Sequence, residues 1–555
     1  MKTGSQLVIA ALREAGVDLA FGLHGAHIDS LFQAALDDGL RIIDTRSEAG
    51  AGHAAEGYAR AANRLGVAFV TAGGGFTNVL TSMANAFMDR TPVLYVAGSG
   101  RLDESETNTL QAGIDQVAMA ASVSKWAFRV TRADQIPRLV AQAIRIARAA
   151  PRGPVLLDIP WDVLLAPVDE PAPPFATQVA PSGLSSGQAA RICDLLRGSV
   201  RPIIVAGSEI VRGGGKAALE AFVRRTGIPV FADFEGLGLL SGIERENAGL
   251  VQGLASFADH GCAPDAVLLM ARFGLNTGHG SGRLIPHEAM VVQVDSDARE
   301  LGRLQAVTMG IVADPAALLG ELAVAAEDAA WPDRAGWRDR AMSIVRDRQA
   351  HVRREATAAS DRLHPAAACA VLTAWLPADS VVVADGALTY LWLSEWIASA
   401  RPRAFLCHGY FGSMGVGMGV ALGAQAALPP AGGRVVLVTG DGALGYSLAE
   451  FDAMARAGLP VIVVVMNNAS WGATQHFQEM VMGPNRVTGT PLARRDYQDA
   501  ARALGAGGHV CDTVEDLRAA LDAALADTRP VCINVQVDLA PVPPEEKVLM
   551  GQKPF

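Results

Sequence analysis

Apolar and polar positions along this chain fall into two alternating rhythms: short continuous apolar runs, and longer stretches in which apolar residues recur with a helical period. In the first third, Ser5 to Ala15, Ile28 to Leu36, Glu48 to Leu65 and Thr77 to Met88 carry the helical period. Between them Leu19 to Leu23, Arg41 to Thr45, Val67 to Thr71 and Pro92 to Ala97 read as strands, and two further units end at Pro160. Continuous apolar strands separated by helices are the pattern of a parallel sheet covered on both faces. From Ala166 to Ser186 the periodicity stops and proline becomes frequent, as in an extended linker. A middle block resumes it with strands at Pro202 to Ala206, Val230 to Phe234, Ala266 to Ala271 and Val291 to Asp295. A second linker-like region, charged and helical, covers about Ala330 to Arg362, and the stretch from Leu363 to Val537 repeats the first third's succession of elements without a close sequence repeat. The expectation is an α/β protein of three doubly wound parallel-sheet domains, at residues 1–180, 185–340 and 360–555.

One crossover unit concentrates polar residues at strand ends. The run Val435 to Val438 closes on Gly440-Asp441-Gly442; a helical stretch, Leu448 to Ala457, follows and stops at Gly458-Leu459-Pro460. A second apolar run, Val461 to Met466, then closes on Asn467-Asn468. Both clusters fall at the carboxyl ends of parallel strands, where open α/β sheets bind ligands. Mg²⁺ requires hard oxygen donors, commonly one or two carboxylate-type ligands completed by phosphate oxygens. Asp441 offers a carboxylate, Asn468 an amide oxygen and Ser470 a backbone carbonyl close behind. Gly440 and Gly442 would let the backbone, and the amides opening the next helix, approach a diphosphate. Either cluster alone is ordinary turn chemistry; the two closing successive strands make a metal–diphosphate site the expectation.

Composition narrows the partners. At 555 residues the length suggests roughly three or four domains. The net charge of -10, with no basic run beyond a pair or two, argues against nucleic acid or an anionic membrane surface. No apolar stretch reaches membrane-spanning length without Gly, Pro or charge. The first helical pattern takes up Glu14 and Asp18 directly and is not that of a signal peptide. Cys193, Cys262, Cys369, Cys407, Cys511 and Cys532 have no metal-ligand spacing and are expected to be buried free thiols in a cytoplasmic protein.

Two further places carry chemistry. Glu48 opens a helix among Ala49, Gly50, Ala51 and Gly52. A carboxylate in such small, apolar surroundings has its protonated form favoured, which suits a proton relay. Thr71-Ala-Gly-Gly-Gly-Phe-Thr-Asn78 places Gly73 in a triple-glycine turn after a strand, without the spacing of a dinucleotide fingerprint. In the middle block Ala206-Gly-Ser-Glu and Ala271-Arg-Phe-Gly274 also follow strands, and neither is a full fingerprint.

With these residues in hand, the chain resembles the thiamine diphosphate (ThDP)-dependent decarboxylase and acetohydroxyacid synthase superfamily over its whole length, and within it the benzaldehyde lyases. The resemblance is carried by FGLHGAHID from Phe21, RSEAGAGHAAEGYARA from Arg46, TAGGGFTN from Thr71 and ETNTLQAGIDQVAMAA from Glu106. It continues in VVADGALTYLWLSE from Val382, GYFGSMGVG from Gly409 and MNNASWGAT from Met466. It implies ThDP and Mg²⁺ as cofactors, with Glu48 bonded to N1′ of the aminopyrimidine, Met414 holding the cofactor bent and the Gly412 carbonyl taking the 4′-amino group. It assigns Asp441, Asn468 and Ser470 to the metal. It adds Gly73, Thr389, Gly440, Gly442, Ala443, Trp471 and Gly472 to the cofactor's surroundings. His27 and Gln111 match a polar pair facing substrate, and Ala26, Trp161, Tyr390, Ala473 and Phe477 match the substrate pocket. Phe87-Met88, Phe411, Met418 and Gln475 depart from the lyases near that pocket.

The activity implied is cleavage of (R)-acyloins such as benzoin to aldehydes and, in reverse, the joining of aldehydes, by a homodimer or homotetramer. The alternative is a ThDP-dependent 2-keto acid decarboxylase or an acetolactate synthase-like enzyme. A decarboxylase usually needs several histidines in the pocket; His27 is one candidate and the chain has no His-His pair.

Overall fold

The continuous apolar runs fold as the central, buried strands of three all-parallel, six-stranded sheets, with half-exposed strands such as Arg41–Asp44 and Trp126–Arg129 at the edges. The computed structural model describes all residues except 105–106, 108–109, 170–174, 180–185, 273–283, 304, 328, 356–359, 401–403, 430–431 and 551–555. The N-terminal sheet comprises Leu19–Gly22, Arg41–Asp44, Gly66–Val70, Val93–Ser99, Trp126–Arg129 and Val155–Pro160. The C-terminal sheet comprises Val381–Asp385, Ala404–Cys407, Val435–Gly440, Ile462–Asn467, Gly507–Cys511 and Val531–Gln536. Numbered along the chain, the strands of both sheets lie in the order 2-1-3-4-6-5. The shared succession of elements in the outer thirds is thus a shared topology. The middle sheet, from Pro202–Ala206 to Met309–Val312, has the order 3-2-1-4-5-6.

In the C-terminal sheet Asp385 pairs with Thr439, and Gly440 with Met466. The first, third and fourth strands therefore finish level, and the turns that follow them share one edge. The order reverses between the first and third strands, which is the crevice where such sheets bind ligands.

The outer domains are joined by helix packing. The helix Glu48–Ala62 lies against the helix Gly417–Ala426, and small residues allow the backbones to meet. A Cβ on Gly57 would collide with the Val420 backbone, and one on Gly423 with the Ala54 carbonyl. Ala51, Ala54 and Ala55 consequently share one apolar core with Val416, Met418 and Val420. A buried carboxylate adds to the join: Tyr410 N donates to Asp89 Oδ1 at 2.7 Å, just ahead of Gly412 and Met414.

Several expectations change. The charged region read as a linker contains the helix Ala335–Glu355, whose Ala341, Ile344 and Val345 enter the core of the middle domain. Its Arg348 is buried between Glu395, at 2.5 Å, and Glu545. A high charge density hid an apolar stripe at helical spacing. Two short edge strands of the middle sheet, Asn247–Leu250 and Met309–Val312, were not legible in the pattern. The helix expected from Thr77 begins at Gly74, directly after Gly73 at φ 61°. Most of the proline-rich stretch within 166–186, the end of the 271–274 turn and part of the stretch from Glu106 lie outside the described residues.

At the carboxyl edge of the middle sheet, Arg90 Nη1 meets Glu209 and Asp295, each at 2.8 Å. Among the described residues all six cysteines are free, five buried and Cys262 half-buried. No described helix is long and apolar enough to cross a membrane.

Candidate functional site

The site residues fall into two groups, one at the carboxyl edge of each outer sheet. In the C-terminal group, the turns after the first, third and fourth strands line one half-open pocket. Gly386 to Thr389, Met414, Gly440 to Ala443, Met466, Asn468 and Ser470 to Thr474 line it. Of the expected residues it brings together Thr389, Met414, Gly440, Asp441, Gly442, Ala443, Asn468, Ser470, Trp471, Gly472 and Ala473. The helix expected after the glycine pair is split: Asp441–Leu444 makes one turn and Glu450–Ala457 follows. Gly442 is required by close approach, since a Cβ there would lie 2.6 Å from the Trp471 ring.

Asp441 is 2% exposed, and its Oδ2 meets no hydrogen-bond donor. Burial pushes the carboxyl up to about 6, against the pull of nearby backbone amides. A buried carboxylate oxygen without a partner is costly unless a cation completes it. Beside it Asn468 Oδ1 accepts from Ser470 N at 3.0 Å, and Ala469 between them has φ 58°. One carboxylate, one amide oxygen and a neighbouring carbonyl form a hard-oxygen set that fits Mg²⁺ with diphosphate oxygens. Among the described residues no group of three or more His, Cys, Asp or Glu side chains offers another metal site. Asn467, the other half of the asparagine pair, is fully buried and donates to Asn534 Oδ1 at 3.1 Å. It holds the strand ends together.

The N-terminal group gathers after the first four strands of its sheet. Ser47 caps the Glu48 helix, its Oγ accepting from Gly50 N at 2.9 Å, and Glu48 takes the first helical position. Glu48 is buried, but its surroundings are not wholly apolar as expected, because Asn78 Nδ2 donates to Oε2 at 3.0 Å. Asn78 lies one helical turn beyond the glycine turn, inside a stretch already singled out, yet no local pattern marks it as Glu48's partner. Gly73 is a glycine of necessity: its φ is 61° and a Cβ would sit 2.7 Å from the Gln111 carbonyl. Gln111 itself holds φ 56°, rare for a residue with a side chain.

His27 is 3% exposed, with Nδ1 unpartnered and the Trp161 ring edge-on at 6.3 Å. Burial lowers its pKa, and the Gln111 side chain, within hydrogen-bonding reach, opposes that only in part. Burial therefore favours the neutral ring. Gln116, which the sequence did not mark, fixes this loop: its Oε1 accepts from Gly73 N at 2.9 Å and its Nε2 donates to Gly98 O at 3.0 Å.

Of the other expected pocket residues, Ala26, Trp161 and Phe477 are exposed. Gly412, at φ 71°, has open space where a Cβ would be. Tyr390 departs from expectation. It is 1% exposed and packs on Phe234 of the middle domain at 4.4 Å between ring centroids. It follows Thr389 on the helix Ala387–Ala400, and one residue turns the side chain by about 100° to another face. Among the departures, Met418 is buried in the core, Phe411 is exposed and Gln475 Oε1 accepts from Ser470 Oγ at 2.7 Å.

Comparison with known proteins agrees with this arrangement. The model of the N-terminal TPP binding domain of thiamine pyrophosphate enzymes matches residues 2–119, that of the central domain residues 189–322, and that of the C-terminal TPP binding domain residues 385–535. A probable acetolactate synthase of Mycobacterium bovis (strain ATCC BAA-935 / AF2122/97) is 32% identical over 540 residues, covering 96% of this chain and 95% of the relative. Acetolactate synthase isozyme 2 large subunit of Escherichia coli (strain K12) is 28% identical over 538 residues, covering 96% and 95%. The 2-hydroxyacyl-CoA lyase 2 of Homo sapiens is 28% identical over 591 residues, covering 97% and 90%. Two of these relatives are acetolactate synthases and one is a 2-hydroxyacyl-CoA lyase, which supports the acetolactate synthase-like alternative better than the expected benzaldehyde lyase. With all three domain models in place and the first of these relatives aligned over almost its entire length, the chain belongs to the thiamine pyrophosphate (thiamine diphosphate) enzymes.

Proposed function

We propose that the chain is a ThDP- and Mg²⁺-dependent enzyme that joins two carbonyl compounds in the manner of an acetolactate synthase, taking a 2-keto acid as donor. The observation that carries the cofactor assignment is the buried, partnerless Asp441 oxygen beside Asn468 and Ser470 in a pocket shared with Thr389 and Met414. The reaction type rests on the synthase relatives.

Asp441, Asn468 and the Ser470 carbonyl would hold the Mg²⁺, and Gly440, Gly442, Ala443 and Thr389 would surround the diphosphate. Bound there, the cofactor supplies the carbanion stabilisation that protein side chains lack. Glu48, braced by Asn78, would hold the proton at N1′, with Gly73 close behind. Met414 and the Gly412 carbonyl would fix the aminopyrimidine, with Trp471 and Gly472 walling the pocket. His27, neutral and reached by Gln111, would take or return the hydroxyl proton of the substrate. Ala26, Trp161, Ala473 and Phe477 would bound the space for the acceptor.

A second reading, acyloin cleavage to two aldehydes, is favoured by two observations. The small Ala473 lines the pocket beside Trp471 and Gly472, where a bulky second group would need room, and one relative is a 2-hydroxyacyl-CoA lyase. Pyruvate, benzoylformate and benzoin assayed with ThDP and Mg²⁺ separate the two. Carbon dioxide with a coupled product from the keto acids supports the synthase; benzaldehyde from benzoin without carbon dioxide supports the lyase; no turnover of any of them refutes both.

The working unit would be at least a dimer. The Asp441 pocket is lined entirely from the C-terminal domain, while Glu48, His27 and Gln111 gather on the N-terminal one. Large apolar side chains stand exposed beside both groups, among them Trp161, Leu110, Ile114, Phe411 and Phe477. Pairing with a second copy would bring Glu48 to the partner's cofactor, and an active monomer by light scattering would exclude it.

A further inference from the structure

One buried carboxylate outside both groups is aimed at the candidate proton carrier's own turn. Glu450 opens the helix Glu450–Ala457 of the C-terminal domain and is 1% exposed. It has no salt-bridge partner among the described residues. Both its oxygens accept from the backbone N–H of Arg46 in the N-terminal domain, at 3.1 and 3.2 Å. Its Oε1 also accepts from Ser47 Oγ at 3.3 Å. Ser47 Oγ in turn accepts from Gly50 N, so the chain of bonds runs Gly50 N–H to Ser47 O–H to Glu450.

The direction of the Ser47 hydroxyl is thereby set, and with it the cap that starts the helix at Glu48. Space confirms the fit: a Cβ on Gly50 would collide with Glu450 Oε1. Other pairs dock the same turn, Arg46 with Asp452 at 3.7 Å and Arg456 with Asp44 at 3.0 Å, but these are substantially exposed. Exposed pairs contribute little, whereas a buried carboxylate bonded to backbone amides is costly to disturb.

We propose that Glu450 is a positioning residue: the helix that follows a chain's diphosphate turn grips the N-terminus of the Glu48 helix and thereby fixes where the Glu48 carboxylate stands. This rests on Glu48 acting at N1′ as proposed above. Among the described residues the side-chain hydrogen bonds of Glu450 go to Arg46 and Ser47 and to none of the residues lining the Asp441 pocket, so its loss should leave cofactor retention alone while misplacing Glu48. A displacement of about 1 Å at a reacting group lowers turnover by up to about 100-fold.

The test compares the full-length parent, Glu450→Gln, Glu450→Ala, Glu48→Gln and the double variant Glu48→Gln/Glu450→Ala. Amide hydrogen exchange of the segment 44–52 is measured without cofactor, and ThDP affinity, KM and kcat with Mg²⁺. The expected result is graded: faster exchange confined to that segment and a lower kcat, intermediate in Glu450→Gln, which keeps one acceptor oxygen, and greater in Glu450→Ala. ThDP affinity should stay at the parent value, and the double variant should turn over no more slowly than Glu48→Gln alone. Parent-like exchange in 44–52, loss of ThDP affinity, or an additive loss in the double variant each overturns the proposal. If Glu450→Ala does not fold, Glu450→Gln decides: parent-like exchange and kcat together refute it. A fully active Glu48→Gln would instead refute the role of Glu48, while the exchange data would still report on the grip.

Discussion

Replacing Asp441 by asparagine should move two properties in opposite directions. The carboxylate is 2% exposed and one of its oxygens has no donor, so in the cofactor-free protein its buried charge is only partly compensated by nearby backbone amides and Arg494. An unsatisfied buried polar group costs about 1–3 kcal/mol, and more when charged. The isosteric amide removes the charge while keeping an acceptor for the surrounding amides, so the cofactor-free Asp441→Asn variant should unfold at the parent temperature or above it. Cofactor binding should suffer. One unit of charge opposite another at 4 Å is worth about 4 kcal/mol at an effective dielectric constant near 20. Every 1.4 kcal/mol is tenfold in affinity, so Mg²⁺-dependent ThDP retention should weaken by about 10³-fold. Calorimetric titration of ThDP at fixed Mg²⁺ measures the second effect and thermal unfolding of the cofactor-free protein the first. A structural carboxylate would show the reverse, lower stability with affinity little changed. A dissociation constant within threefold of the parent value, about 0.7 kcal/mol, would refute the metal assignment of Asp441.

Three further outcomes follow from the same geometry. Glu48→Gln should keep ThDP bound and lower kcat by about 10²–10⁴-fold, because an amide cannot share the N1′ proton; full activity would remove Glu48 from the chemistry. Ala473→Ile should block bulky aromatic substrates while sparing cofactor binding, measured as benzoin turnover against ThDP affinity; unchanged benzoin turnover in a parent that cleaves it would show that Ala473 does not bound the acceptor space. Burial holds the His27 ring below its ordinary value of 6.5, and the base is the neutral form. The acid limb of kcat/KM should therefore bend below pH 6.5 and disappear in His27→Gln, and an identical limb in that variant would assign it elsewhere.

What was legible in the sequence was what lies contiguously on the chain. Apolar runs closing on Gly440-Asp441-Gly442 and Asn467-Asn468 announce strand ends, and parallel strands finishing level must gather those ends at one edge. That places Gly440, Asp441, Gly442, Asn468 and Ser470 together, whereas Thr389, Met414, Ala443, Trp471, Gly472 and Ala473 were indicated only by the family resemblance. The similarity of the outer thirds was also visible, because the same order of strand and helix periods demands the same packing.

Tertiary structure alone decided everything that depends on which face a side chain takes or on a partner far along the chain. Tyr390 sits one residue from the pocket-lining Thr389, yet helix geometry turns it into the core beside Phe234. Asn78 reaches Glu48, Glu450 reaches Ser47 and Asp89 reaches Tyr410 only after separate elements have docked. Gln111 adopts a left-handed backbone that no glycine or asparagine signals. A local pattern records what a residue needs from its immediate neighbours, hydrophobic period, cap or turn. The partner of a buried carboxylate is chosen by the packing of whole helices, and that choice leaves no trace in spacing.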